Sequence, residues 1–439
     1  MRIRKAVFFW VLSLAARLLV FGLEPASIRA DGGEEAFKLN GSLRTIGALV
    51  DNYDYEPFFG RDNPTDEYSQ TLLRLTAEGR FGERLSGQVH LVQSYTYFSG
   101  ESGSGLGSFN LTSGAVRYRA LDEAWDWLTD RQTSAGLWLD RFNLKIALPK
   151  ADITLGRQAI TLGKAWFWNP LDVYLPFDPR QFDRDYKAGV DALRVDFPLG
   201  PFSGFTLIGV LGRELDLSGS YQGGNEVWRA SRAGSSWLAR YFTNLSGWDL
   251  AVQGGMIYHG YQLGGGLVGE IAGWQVRAEA AYFWAEDSPR LPVPFEGDLF
   301  EDHLTGVLGL GRYFSSSLDL EFEYLFNGGG DAEDLTRSLA RYQGGGLMHL
   351  GRHLVGLTVS YDLLPILIGR AAWMQSLSDG SFQFQPTLTY SLSDNSELIA
   401  GTAFHRGARP ESRPPWGPEI KSEFGTYPDY YFAEFKIYF

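Results

Sequence analysis

The chain contains no cysteine, and only four methionines and six histidines, in 439 residues. Without thiols there is no disulfide framework, thiolate nucleophile or cysteine metal site. The same absence suits a polypeptide that crosses an oxidising compartment unfolded, because nothing can mispair. Beyond residue 30 there is no run of eighteen apolar residues, so no transmembrane helix is expected there. Basic charge is in deficit: the net charge is −13. Residues 1–30 hold Arg2, Arg4, Lys5, Arg17 and Arg29 against Glu24, a net of +4, which leaves −17 on the remainder. A balance that acidic argues against nucleic-acid binding, which needs basic stripes to displace counterions.

The first thirty residues differ in kind from the rest. A positive n-region (Arg2, Arg4, Lys5) precedes an apolar stretch from Ala6 to Ala16, and Ala30 offers a cleavage position before Asp31-Gly32-Gly33. A membrane anchor would need about 20 unbroken apolar residues, and Arg17 interrupts the stretch. Residues 1–30 are therefore expected to be a signal peptide, and 31–439 a single barrel domain with long extracellular loops. The few residues between that cleavage position and the first strand leave no room for a plug domain.

What the chain does have is period-two alternation, in segment after segment. Leu318, Leu320, Phe322, Tyr324 and Phe326 alternate with Asp319, Glu321 and Glu323. Trp274, Val276, Ala278, Ala280 and Tyr282 oppose Gln275, Arg277 and Glu279, and Phe142, Leu144, Ile146 and Leu148 oppose Arg141, Asn143 and Lys145. Successive side chains of a strand point to opposite faces, so one face is greasy and the other polar. The connections alternate short and long, the short ones near Phe81–Arg84, Pro149–Lys150, Asn244–Gly247, Ala272–Gly273 and Ser393–Ser396. Long ones run over 51–67, 99–137, 163–186, 215–234, 285–302, 327–351 and 407–426, while those near His259–Gly260 and Ser378–Gly380 break the pattern by being short. This spacing predicts an all-β, transmembrane antiparallel β-barrel of about eighteen strands, from near Phe37 to Phe439, if Gly345–Asp362 is one strand. Such a barrel belongs in the outer membrane of a Gram-negative bacterium, with both termini on the side of the short turns. Phe435, Ile437 and Phe439 lie on the apolar side of the last strand and form the candidate assembly signal.

A barrel of sixteen to eighteen strands leaves an aqueous lumen. The inward positions are charged, and the candidate pore-lining residues are Arg74, Arg80, Arg141, Lys145, Arg194, Asp196, Arg240, Arg277, Glu279, Glu321 and Glu323. Basic residues dominate the first half of the chain and acids gather later, which would select solutes by charge. The loop 163–186 carries Trp166, Trp168, Asp172, Tyr174, Asp178 and Arg180 among three prolines. Its aromatics are hard to leave in water, so it either folds inward as a constriction or packs on neighbouring loops as a cap.

Residues 151–200 contain Gly156-Arg157-Gln158 ending a strand, Asn169-Pro170-Leu171-Asp172 in the following loop, and Lys187-Ala188-Gly189-Val190-Asp191 opening the next strand. With the hairpin series around Leu377–Leu398, this stretch resembles the alginate-export family of outer-membrane channels. The resemblance implies an eighteen-strand barrel that conducts an anionic polysaccharide outward, with Arg157 among its pore residues. Strict alternation from Ile153 points Arg157 outward, so that role requires a bulge at Gly156.

Other classes find less support. No GxSxG elbow or phosphate loop occurs, and His349 and His353 have the spacing of a helical zinc pair without its HExxH context. Asp331-Ala332-Glu333-Asp334 reads as a solvated acidic loop or a cation site, and Leu121–Arg131 as a short amphipathic helix. No cofactor and no enzymatic activity are expected; a barrel hydrolase or protease and a surface receptor are the alternatives to a channel. The expected partners are outer-membrane lipid and lipopolysaccharide, the barrel-assembly machinery and, through the resemblance, periplasmic polysaccharide-export proteins.

Overall fold

A computed structural model describes residues 26–29, 35–54, 65–100, 115–121, 123–180, 185–215, 228–291, 295–331, 333–412 and 418–439. Most of the expected signal peptide, residues 1–25 and Ala30, lies outside them; Ala26–Arg29 forms a short strand antiparallel to Glu35–Leu39. The wall begins with β1 (Glu35–Asp51), β2 (Thr65–Phe81), β3 (Leu85–Phe98), β4 (Thr133–Leu148), β5 (Ala151–Gln158) and β6 (Val190–Gly200). It continues with β7 (Ser203–Leu215), β8 (Trp228–Leu245), β9 (Trp248–Ile257), β10 (Gly260–Ile271), β11 (Trp274–Ala285) and β12 (His303–Tyr313). It ends with β13 (Asp319–Asn327), β14 (His353–Leu364), β15 (Leu367–Ser376), β16 (Phe382–Ser393), β17 (Ser396–Arg406) and β18 (Asp429–Tyr438).

Each strand pairs antiparallel with its chain neighbour, and β1 pairs with β18, so the sheet closes at eighteen. Closure is what the surroundings demand, because hydrocarbon offers no partner to an edge amide. The last residue takes part: Phe439 and Gly41 exchange both backbone hydrogen bonds, at 2.6 and 2.9 Å. Phe142, Leu144, Ile146 and Leu148 are exposed on the outer face, as are Leu263, Leu308, Phe322, Leu357 and Trp373 around the ring. Each is worth roughly 1.5–3 kcal/mol when it leaves water, so this belt requires lipid.

The turns on one rim are tight. Ser246-Gly247 and Ala272-Gly273 have positive φ at both positions (54° and 85°, 53° and 79°), which matches the twist of a two-residue hairpin. The opposite rim carries the long connections, with short ones at 258–259 and 377–381 as the sequence implied. The chief element there is helix α1 (Leu335–Gln343), N-capped by Asp334, whose side chain accepts the amide of Arg337. The last residue of the acidic 331–334 stretch thus caps a helix.

Three local expectations are corrected. Gly345–Asp362 is not one strand; β14 starts at His353, after a loop that packs Leu347 and Leu350 inward. The strands beside the 163–186 loop are set back from the Asp152–Leu162 and Lys187–Phe197 that alternation suggests, β5 stopping short at Gln158 and β6 starting only at Val190. That shortness leaves the upper part of β4 without a partner on one side. Ala124–Thr129 fills the vacancy as a strand, pairing from Ala124↔Trp138 to Thr129↔Ser134. Among the described residues of Leu121–Arg131 there is therefore a strand and no amphipathic helix: open ladder groups on β4 outbid its weak helical pattern.

Gly156 tests how tightly β4 and β5 are joined. Its φ is +113°, and a Cβ there would lie 2.3 Å from the carbonyl oxygen of Phe142. Gly156→Ala should cost about 1–3 kcal/mol and lower the temperature at which the folded electrophoretic band converts to the unfolded one. Gly47→Ala, with nothing within 4 Å of the added carbon, should leave that temperature unchanged.

Candidate functional site: the loop-narrowed lumen

The connection between β5 and β6 does not stay on the rim. Gln253, Gln262, Glu279, Glu323 and Thr358 are buried on their strands, while Val252, Leu263, Tyr282, Phe322 and Leu357 on the same strands are exposed. The first set faces the lumen, and all of its members bind the loop. Gln253 donates to Leu171 O at 2.8 Å and Gln262 to Pro170 O at 3.2 Å. Glu279 accepts the amides of Lys164 (2.5 Å) and Leu171 (3.4 Å). Glu323 accepts those of Trp166, Phe167 (2.7 Å) and Trp168 (3.3 Å), and the Trp166 indole reaches Thr358 Oγ1 at 3.4 Å. Of the two arrangements open to this segment, the structure has the inward one.

Burial follows from that path. Ile160, Leu162, Phe167, Trp168, Leu171 and Tyr174 are almost wholly buried. Tyr174 packs edge-on to Tyr118 and its hydroxyl accepts from Ser236 Oγ at 2.9 Å. At the loop's return, Lys187 Nζ binds both oxygens of Asp172 at 2.6 Å, pinning the end of the segment to its middle. Tyr186 lies under the Arg74 guanidinium, 4.2 Å from ring centre to carbon.

Two carboxylates of the acidic wall are thus engaged by loop amides, and a third, Glu321, is paired with Arg277. On the other side the wall is basic. A turn-side chamber of about 800 Å³ is lined by Lys38, Arg80, Lys145 and Arg194 against Glu78 and Asp196. Lys145 is bridged to Asp152 and Arg194 to Asp196, yet both remain at the chamber surface. A second space of about 410 Å³ lies between the loop and the wall, with Lys164, Arg240, Asp249 and Glu279 around it. On the loop's other face a chamber of about 510 Å³ is bordered by Tyr118, Phe177, Tyr186, Tyr258 and Phe300.

The structure thus brings Arg74, Arg80, Arg141, Lys145, Arg194, Asp196, Arg240, Arg277, Glu279, Glu321 and Glu323 to the lumen side of the wall. A β-bulge decides one of them. The β3–β4 register shifts between His90 and Leu91, so Asp140 and Arg141 both oppose His90. Asp140 is thereby buried between Arg74 (2.7 Å) and Arg119 (2.8 Å), a position that alternation alone could not assign.

Arg157 is the exception. Its register partner Phe142 is exposed on the outer face, and the β4–β5 register runs unbroken, so no bulge forms at Gly156. Its guanidinium binds Asp191 (2.7 Å) and the carbonyls of Leu139 (2.8 Å) and Leu121 (2.7 Å). It seals the seam where the Ala124–Thr129 strand joins the wall. Alternation counted from Ile153 places it correctly; the family carry-over does not.

The outer anchor of the loop is polar. Asp178 and Arg180 pair at 2.5 Å, and the guanidinium lies 4.3 Å from the ring centre of Tyr427 and hydrogen-bonds the Tyr342 hydroxyl at 2.9 Å. Burial opposes ionisation of Asp178, but the Arg180 charge and its hydrogen bonds prevail and hold the carboxyl at about 2. His349 and Glu423, which no motif singled out as a pair, sit beside Trp168.

An eighteen-strand antiparallel barrel with an apolar belt and a charged, loop-filled lumen is an outer-membrane barrel of the Gram-negative kind. No family model and no curated protein matches the chain. Among solved structures it is similar to Acinetobacter baumannii OccAB2, at 8% identity and TM-score 0.54, over 92% of this chain and 98% of that one. It is also similar to Pseudomonas aeruginosa OccK8 (OprE), at 10% identity and TM-score 0.53, with the same coverage of 92% and 98%. The outer membrane protein opdK from Pseudomonas aeruginosa follows at 10% identity and TM-score 0.51, again over 92% and 98%. At such identities the likeness is one of fold. It supports the barrel part of the alginate-export resemblance and not that family in particular.

Two outcomes are expected. Glu323→Ala would strip three loop amides of their acceptor, at about 1–3 kcal/mol for each one left buried, and should make the segment cleavable by trypsin after Lys164. The Asp178 carboxyl is depressed, so its contribution, on the order of 2 kcal/mol, is complete above the ordinary carboxylate range and lost as pH falls through about 2. Near-ultraviolet circular dichroism from Tyr342 and Tyr427 should therefore change late in an acid titration, whereas Asp178→Asn, with no carboxyl to protonate, should show the altered spectrum already at neutral pH.

Proposed function

We propose that this chain is a passive, non-enzymatic outer-membrane channel for small hydrophilic solutes, with a preference for anions. The observation that carries the reading is the disposition of charge around the constriction loop. Glu279 and Glu323 are occupied by backbone amides and Glu321 by Arg277, while Lys38, Arg80, Lys145 and Arg194 line the turn-side chamber. On that side the basic residues outnumber the acidic Glu78 and Asp196 of the same chamber, so a solute between these walls meets an excess of positive charge on one side and a largely compensated surface on the other. At the height of the loop Arg74, Arg119 and Arg141 stand around the single carboxylate of Asp140, while Lys187 is taken up by Asp172.

Size supports the same reading. Loop residues Ile160–Arg180 and Asp185–Lys187 cross the lumen and leave chambers of about 800, 510 and 410 Å³, dimensions suited to small molecules. Export of an anionic polysaccharide, the finer reading suggested by residues 151–200, shares the basic wall but requires the loop to withdraw. In the cell, the apolar belt would be covered by lipid and lipopolysaccharide, and the Phe435, Ile437 and Phe439 face would be presented to the assembly machinery.

Purified, refolded protein in a planar bilayer is expected to give step currents whose reversal potential in a salt gradient has the sign of anion preference. Deleting Gly163–Tyr186 should raise the conductance severalfold and weaken the preference, because both the obstruction and Lys164 are removed. Absence of steps from both proteins would end the channel reading. A long oligouronate that blocks the intact channel as strongly as the deletion variant would favour polysaccharide passage.

A further inference from the structure

His349 lies in the loop before β14 and takes no part in the charge arrangement described above. Its ring is buried and has a hydrogen-bond partner at each nitrogen. The Trp168 indole Nε1 donates to His349 Nε2 at 2.8 Å, the two rings meeting edge to face at 5.9 Å. An indole N–H can only donate, so Nε2 must be the bare nitrogen. The proton is therefore on Nδ1, which donates to Glu423 Oε1 at 2.5 Å. Glu423 is itself fixed by the amide of Gly351 at 2.9 Å, and its own amide binds Asp379 Oδ2 at 2.9 Å. One neutral imidazole thus ties three segments together: the constriction loop through Trp168, the loop ahead of β14, and the last outer loop through Glu423.

We propose that His349 is a proton-operated latch on the constriction loop: protonation at Nε2 sets two donors face to face, expels the Trp168 indole, and loosens the loop from the outer loops. The latched arrangement requires the neutral ring.

Titratable and charged groups stand around the His349–Glu423 pair: Tyr427 beside Glu423 in the last outer loop, and Asp178 and Arg180 in the constriction loop. Tyr342 on α1 completes the outer side, and Glu323 on β13 holds the Trp168 amide below. Glu423 is held below its ordinary value: burial pushes it up, but the His349 contact and the Gly351 and Leu350 amides pull it further down. It therefore stays ionised through the range in which a histidine titrates. Asp178 and Arg180 also stay paired there, so release is confined to the Trp168 corner and the loop remains seated on Glu323 and Glu279.

The test needs a readout that does not depend on conduction. In refolded protein labelled with ¹⁵N-tryptophan, the Trp168 indole signal is assigned by its loss in Trp168→Phe and followed from about pH 8 to about pH 4.5. It is expected to shift along a one-proton curve, with exchange of its N–H with water rising by about tenfold. His349→Gln can accept from the indole and donate to Glu423 without titrating, so its Trp168 signal should stay put. In bilayers, wild type should then switch to a noisier or larger conductance over the same pH range, and His349→Gln should not. An indole that neither moves nor loses protection in wild type, or that titrates identically in His349→Gln, overturns the latch. Titration of the indole in a protein that passes no current would keep the latch and remove the channel reading instead.

Discussion

A backbone amide kept away from water has to be given an acceptor, and both halves of this molecule answer that demand. In the wall the answer is the closed ladder from β1 to β18, completed by the Gly41–Phe439 pair. In the lumen the answer is Glu279 and Glu323, two carboxylates on strands that collect five amides from a segment with no regular structure of its own. Irregular backbone can lie at membrane depth because it is enclosed by protein. Remove those acceptors and five buried amides lose their partners inside the ring.

The same bonds shape the electrostatics. A carboxylate that accepts two or three amides is less available to a passing ion than its formal charge suggests, so a wall that reads as acidic is compensated by the loop seated on it. The opposite wall borders an open chamber in which basic side chains outnumber acidic ones, Lys38, Arg80, Lys145 and Arg194 against Glu78 and Asp196. Position and field are therefore one device. The loop narrows the lumen and also covers the negative side of it.

The strand count, the alternation of short and long connections, the apolar belt and the inward charge set were legible in the chain, because a period of two is a local property. What escaped was whatever depended on a neighbour. Leu121–Arg131 has no means of announcing that β5 stops early and leaves β4 a vacant edge for Ala124–Thr129. The bulge that puts Asp140 and Arg141 on the same side exists only as a mismatch between two strands. Arg157 shows the converse, since plain alternation from Ile153 placed it better than the motif in which it sits.

Sequence alone determined that this is a two-faced ribbon long enough to close around water, with lipid outside and charge inside. Side-chain direction along a strand follows from covalent geometry, and nothing distant can alter it. Only the tertiary structure decided whether the aromatic segment 163–186 would cap or constrict, which carboxylates would keep their charge accessible, and that His349 and Glu423, 74 residues apart, would grip Trp168. Those outcomes depend on which donors meet which acceptors once the ring has closed, and that pairing is written in no single stretch of the chain.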